Sequence, residues 1–297
     1  MPRNESVSVL KQTWSEFSKD DCSTLAAALA YYTVFSLPAA LLIIVKVAGS
    51  VLGQKAVTGQ LQARIGASMG PQVGNEIGTM IRNAAHNTTG GILAVVLGIA
   101  GLWWAASNIA NQLQIALNRA WEVKPREEGV AGMLGKRFLS FLMIVGIGVL
   151  VLAALAASAV VAPVSASLGL PGGLIYAGEV AVSFFIFAFL FGAAYKYLPD
   201  ARIDWKDVRT GAFVTAGLFV VGKFLIGFYL GHTSAASGYG VAGSLALLLL
   251  WTYYSSMIFL IGAEFTQVWA RRHGKQIELD RNAVRVIEKE EGPHRAA

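Results

Sequence analysis

Leu25-Ala26-Ala27-Ala28-Leu29-Ala30-Tyr31-Tyr32-Thr33-Val34-Phe35-Ser36-Leu37-Pro38-Ala39-Ala40-Leu41-Leu42-Ile43-Ile44-Val45-Lys46-Val47-Ala48-Gly49-Ser50-Val51 carries a single charge, Lys46. As a helix rising 1.5 Å per residue this run extends roughly 40 Å, more than a hydrocarbon core of about 30 Å. It reads as a first membrane span that overshoots the apolar layer. Pro38 removes one backbone hydrogen bond within it and predicts a kink. Asp20, Asp21 and Ser23 precede it and are suitable N-caps.

Five further apolar runs follow, at roughly 91–110, 138–162, 174–195, 211–230 and 241–263. Across the chain 55% of residues are apolar, only 14% are charged, and the mean hydropathy is +0.55. A soluble domain carries about 25% charged residues. The fold class expected is therefore all-α, a polytopic membrane bundle of six transmembrane helices. The single cysteine, Cys22, excludes an internal disulfide. His86, His232, His273 and His294 are scattered without ligand spacing, so no metal and no cofactor is expected. A cleavable signal peptide is not expected, because Lys19, Asp20 and Asp21 precede a run too long for a signal's apolar region.

Lys and Arg orient the spans. Residues 1–24 hold three, 111–137 five, 196–210 four, and the stretch after 264 seven. The alternate connections 163–173 and 231–240 hold none and 52–90 holds three. This places both termini in the cytoplasm. The chain divides into a cytoplasmic segment 1–24, a transmembrane domain 25–270, and a polar tail 271–297, part helix and part disordered. In the longest outer connection Val57, Leu61, Ile65 and Met69 recur every fourth residue, as do Val73, Ile77 and Ile81, with Gly70-Pro71 between. This predicts an amphipathic helical hairpin over about 55–88, either packed on the spans or acting as a lid.

Alternating basic loops are what membrane insertion produces, and no aromatic or groove-fitting element accompanies them, so a nucleic-acid partner is not expected. No P-loop and no catalytic or metal-binding constellation is assigned. The informative residues are ionisable groups within spans, which are costly there and candidates for function. Lys46, Glu179 and Lys223 fall at similar depth near the outer boundary and could line one polar cavity. The alternative is that the lysines snorkel and Glu179 sits at the interface. Toward the cytoplasm, Asn108, Asn111 and Gln112 share one helix face, Asn118 and Arg119 follow, and Glu264 ends the sixth span. They serve either interhelical hydrogen bonding or an inner substrate path. Gly227 and Gly231 form a G-x-x-x-G, and Ala153, Ala154, Ala156, Ala157 and Ser158 line the third span. Such small residues suit packing within one subunit or between copies, so a homo-oligomer stays open. Ser237-Gly238-Tyr239-Gly240-Val241-Ala242-Gly243 opens the last span as an outer turn or a bent, re-entrant stretch.

Ala26 to Pro38, Tyr239-Gly240, Leu248-Leu249-Leu250-Trp251-Thr252-Tyr253-Tyr254 and Gly262-Ala263-Glu264-Phe265 resemble the signature segments of the YihY/BrkB family, as does Tyr197-Leu198-Pro199-Asp200 with Trp205. The resemblance runs from about 15 to 272. It implies a bacterial inner-membrane protein of the cell envelope, associated with virulence, whose relatives have carried the label ribonuclease BN; the sequence offers no nuclease residues, so neither ribonuclease activity nor an enzyme is expected. It also marks Tyr31, Tyr32, Ser36, Pro38, Tyr239, Gly240 and Trp251 as candidate motif or gating residues. The expected function is a multi-pass transporter or lipid-translocating protein with membrane lipids as partners and a lipid, small solute or cation as substrate. Lys46, Glu179, Lys223, Glu264, Asn108 and Asn111 are its candidate path. The alternatives are a non-transporting envelope scaffold and an ion or proton antiporter.

Overall fold

The structure is a computed structural model that describes residues 3–69, 71–86, 107–125, 171–232, 240–273, 278–279 and 283–285. The described residues build a membrane helical bundle of eight helices. These are α1 (Arg3–Lys19), α2 (Cys22–Leu52), α3 (Gln54–Met69), α4 (Pro71–His86), α5 (107–120), α6 (Gly172–Tyr197), α7 (Trp205–His232) and α8 (Gly240–His273). Gly172–Tyr197, Trp205–Ile226 and Leu245–His273 are each long and apolar enough to cross a membrane. The expected spans at 174–195, 211–230 and 241–263 thus fall on α6, α7 and α8, and 25–51 falls on α2. The expected spans at 91–110 and 138–162 lie outside the described residues, except that 107–110 begin α5.

α2 runs helical through Pro38 without a break. Asp21 takes its N-cap position in a left-handed conformation, φ 51°. Its carboxylate caps no backbone N–H there and instead accepts the Thr24 hydroxyl at 3.0 Å. The amphipathic hairpin is present as α3 and α4, and Pro71 opens α4 where a missing N–H costs nothing. Its periodic residues do pack inward. Val57, Leu61, Val73, Ile77 and Ile81 are buried against Val34, Leu41 and Val45 of α2 and Leu248 of α8. The two helices approach closely at Gly74, where a Cβ would stand 2.8 Å from Gly66 Cα. Gln62 Nε2 donates to Asn75 Oδ1 at 2.8 Å across the same seam.

A second core occupies the other end of α2 and α8. It joins Phe17, Cys22, Ala26 and Leu29 to Leu117 and Trp121, Tyr195, Val208, and Leu260 and Ala263. α7 and α8 meet there through a reciprocal contact. A Cβ at Gly211 would stand 1.7 Å from Thr266 Oγ1, and one at Gly262 would stand 1.9 Å from Thr215 Oγ1. Each threonine turns its hydroxyl back to the glycine of its own helix, Thr215 to Gly211 O at 2.7 Å and Thr266 to Gly262 O at 2.6 Å. Paired G-x-x-x-T motifs therefore set this crossing, whereas the side-chain environment of the expected motif at Gly227 and Gly231 lies outside what is described.

Of the polar tail, expected to be part helix and part disordered, the described residues are 271–273, 278–279 and 283–285. α8 continues to His273, and beyond it the chain contributes strands. Writing β1 for Val123–Pro125, β2 for Ala201–Arg202, β3 for Glu278–Leu279 and β4 for Ala283–Arg285, β1 pairs antiparallel with β4 and β2 with β3.

Candidate functional site

α8 carries Glu264 into the second core, where it is fully buried directly after the apolar run of that helix. Cys22, the first residue of α2, donates its thiol to Glu264 Oε1 at 3.4 Å. Among the described residues Oε2 has no hydrogen-bond partner of good geometry, although the Asp20 carboxyl lies close to it. A buried carboxylate oxygen without a partner costs several kcal/mol as an order of magnitude, unless something neutralises it. One turn on, Gln267 is 1% exposed and its Oε1 also lacks a partner, as does Nε1 of Trp121 at the end of α5.

Asp20, in the turn between α1 and α2, brings a second carboxyl alongside Glu264. Burial pushes the Asp20 carboxyl up from 3.8 to about 6, against the pull of Arg119 and Lys19 and with the push of Glu122 and Glu16. The electrostatic surroundings thus come from α1, from the turn after it and from the end of α5. Among the described residues no three His, Cys, Asp or Glu side chains gather as a metal site.

Further hydrogen bonds join the elements of this core. Asn118 of α5 donates from Nδ2 to Asp200 Oδ2 at 2.8 Å and accepts the Asp200 N–H on Oδ1 at 2.8 Å. Gln114 adds a donor to the same carboxylate oxygen at 3.2 Å. Tyr195 of α6 donates to the carbonyl of Phe259 at 2.7 Å and lies 3.2 Å from Thr215 Oγ1, tying α6, α7 and α8 together. Arg271, at the end of α8, pairs with Glu122 at 2.5 Å.

Of the candidates read from sequence, Glu264 is the one this arrangement centres on. Asn118 is engaged and Arg119 lies near Asp20, whereas Asn108 is half-buried and Asn111 is exposed on α5. Lys223 is half-buried and lines a narrow crevice between α7 and α8 with Phe219, Trp251, Tyr254, Ser255 and Ile258. Lys46 and Glu179 lie on α2 and α6, but their side chains fall outside what is described, so the outer cavity rests on Lys223 alone. Tyr31 and Tyr32 lie on the exposed face of α2 and pack on each other and on Phe35. Ser36 is buried with its hydroxyl on the Thr33 carbonyl at 2.9 Å. The Pro38 side chain and all of Tyr239 lie outside the described residues, and Gly240 opens α8. Gly66-Ala67-Ser68-Met69-Gly70 has the spacing of a nucleophile elbow, but it is helical in α3 through Met69 and lacks the strand-to-helix turn that the chemistry requires.

The sequence reading had not grouped Cys22, Asp20, Gln267, Trp121 or Asp200 with Glu264. Gln267 was within reach, since it stands three residues from Glu264 on one helix. Cys22 carried no such signal, being 242 residues away along the chain.

The family model described as virulence factor BrkB matches residues 13–286, a stretch that encloses Asp20, Cys22 and Glu264. This chain belongs to the BrkB virulence-factor family. Among BrkB relatives, it is 23% identical over 270 residues to a UPF0761 membrane protein of Acinetobacter baylyi, covering 88% of this chain and 62% of that one. It is 25% identical over 272 residues to the putative ribonuclease-like protein YfkH of Bacillus subtilis, covering 90% and 96%. A UPF0761 membrane protein of Albidiferax ferrireducens is 30% identical over 208 residues, covering 65% and 48%. The chain therefore spans less than two thirds of the length of these two UPF0761 relatives. No solved structure matches it. The BrkB family is named for virulence rather than for a reaction; the two UPF0761 relatives are named as membrane proteins, and YfkH as ribonuclease-like.

Proposed function

We propose that this BrkB-family protein is a multi-pass transporter of the bacterial inner membrane, with both termini cytoplasmic, in which Glu264 takes up and releases a coupling proton. The observation that carries the reading is the fully buried Glu264, with one oxygen on Cys22 and the other, beside Asp20, without a well-formed hydrogen bond among the described residues. An ionisable group within a span is expensive, and a path for ions or protons is its usual use. The orientation rests on nineteen Lys and Arg in the connections assigned to the cytoplasm against three outside.

A second reading, translocation of an anionic lipid, draws support from Lys223. Its crevice lies beside Val221, Phe224 and Leu225, which expose 56%, 47% and 62% of their surface. A cation set beside a lipid-facing apolar surface suits an amphiphilic anion. Purified protein in liposomes containing a pH-sensitive dye separates the two. The first reading expects flux across a panel of solutes and cations that moves internal pH and is lost in Glu264→Gln. Lipid translocation expects scrambling of a labelled anionic lipid that falls in Lys223→Leu. Inert vesicles in both assays would overturn transport and favour an envelope scaffold.

A further inference from the structure

α1 carries more apolar surface than the bundle covers. Successive helical residues turn by ~100°. Val9, Thr13 and Phe17 fall on one face, are each 4% exposed, and pack with α8. Immediately beside that face lie Val7, Leu10 and Trp14, within ~60° of one another by the same geometry. They expose 61%, 62% and 61% of their surface. Trp14 stacks on Phe17 with ring centroids 5.6 Å apart, so the exposed stripe is continuous with the buried one. The remaining arc is polar, with Asn4, Ser8, Lys11, Ser15, Ser18 and Lys19. One helix thus has two apolar stripes, and protein covers one of them.

Two fixed points locate α1 along α8. Cys22 touches Glu264, and Arg272 holds Ser8 Oγ at 2.6 Å and Gln12 Oε1 at 2.6 Å. Trp14 therefore lies beside the last turns of α8, at the level of Trp269. At the same end of the bundle Tyr197 closes α6 and Trp205 opens α7. These two are 57% and 47% exposed and pack edge to face at 5.9 Å. Exposed Trp and Tyr at the ends of apolar spans mark the membrane–water boundary. The level of the exposed stripe is thus the level at which the spans leave the apolar layer.

We infer that α1 is an interfacial helix whose Val7, Leu10 and Trp14 face lies in the lipid headgroup–acyl boundary of the membrane that α6, α7 and α8 cross. An exposed apolar stripe bordered by a polar arc is the pattern of helices that seat in that boundary, and α1 reaches it beside the last turns of α8. Continuity with the aromatic residues on the spans selects lipid over a soluble partner, and Lys11 on the polar arc suits an anionic leaflet, while Lys19 pairs with Glu16 at 4.0 Å. The placement is independent of any transport activity. Because only Asp20 and Asp21 separate α1 from Cys22, the surface helix is coupled mechanically to the Glu264 cluster.

The test uses spin labels at Leu10→Cys and Ser15→Cys, one on each arc, with Cys22→Ser to remove the native thiol. A parallel pair retains Cys22, whose burial protects it from labelling under native conditions, in case the serine disturbs folding. The protein is placed in vesicles of phosphatidylethanolamine and phosphatidylglycerol, and collision with oxygen is compared with collision with a water-soluble nickel chelate. The expected result is an oxygen-to-nickel ratio several-fold higher at position 10 than at 15. Equal ratios would show the stripe in water and overturn the placement. So would dipolar broadening at position 10 that vanishes on dilution with unlabelled protein, since a second copy would then cover the stripe.

Discussion

Adding one methyl group at Gly262 is expected to force α7 and α8 apart, and the cost can be worked from the contacts. A Cβ there would stand 1.9 Å from Thr215 Oγ1, 2.7 Å from Thr215 Cγ2 and 2.6 Å from the Tyr195 hydroxyl. Ordinary contact begins at 3.4 Å, so the helices must part by roughly 1.5 Å in an interior packed to crystal density. Thr215 cannot swing aside at no cost, because its hydroxyl is held by Gly211 O at 2.7 Å and lies 3.2 Å from Tyr195. Overpacking costs about 1–3 kcal/mol, and loosening the Tyr195 bonds adds about 1 kcal/mol each. Gly262→Ala should therefore destabilise by about 3–5 kcal/mol, measured by denaturant titration of the detergent-solubilised protein through its tryptophan fluorescence. Thr215→Ala alone should cost about 1–2 kcal/mol by losing its hydrogen bonds and packing. Combined with Gly262→Ala it should restore part of the loss, because the Cβ still meets the Tyr195 hydroxyl. The reciprocal pair Gly211→Ala and Thr266→Ala should behave alike. A Gly262→Ala protein as stable as wild type, or a double variant no better than Gly262→Ala, would refute the contact as the determinant of the crossing.

Two further outcomes follow from the core around Glu264. Burial raises the Asp20 carboxyl from 3.8 to about 6 in the fold, so the folded state binds more protons than the unfolded chain within that window and stability falls as pH rises through it. Asp20→Asn should accordingly be more stable than wild type above about 6, with the difference closing below 3.8, as read from melting temperature against pH. Asn118→Ala deprives Asp200 of the bond to its carboxylate and the acceptor for its N–H, both at 2.8 Å. One neutral and one charge-assisted bond together predict a loss of about 2–4 kcal/mol in the same titration.

Several elements were legible because their physics is one-dimensional. Hydropathy alone places α2, α6, α7 and α8, and the fourfold recurrence of Val57, Leu61, Val73 and Ile77 announces a hairpin whose apolar stripe is buried. Glu264 stands out because a carboxylate near the end of an apolar run is unusual wherever its partners lie. What escaped depends on three-dimensional neighbours or on subtler patterns. Cys22 and Asp20 meet Glu264 only after α2 folds antiparallel to α8, and nothing local to either residue anticipates it. Gly211 and Gly262 became interpretable only with Thr266 and Thr215 facing them across two helices. The apolar arc of the segment before the first span escapes a sliding average because Lys11, Glu16 and Lys19 interrupt it. The strands of the tail, two and three residues long, are below the length at which period-two alternation carries information.

The account turns on Glu264 as a titrating group, and that is open to direct measurement. Purified protein in lipid nanodiscs is titrated with acid and base while a pH indicator reports protons bound, for wild type and Glu264→Gln side by side. The account predicts that the variant binds about one proton fewer over the titration, since the glutamine side chain cannot exchange one. Superimposable curves for the two proteins, both shown to be folded, would contradict it.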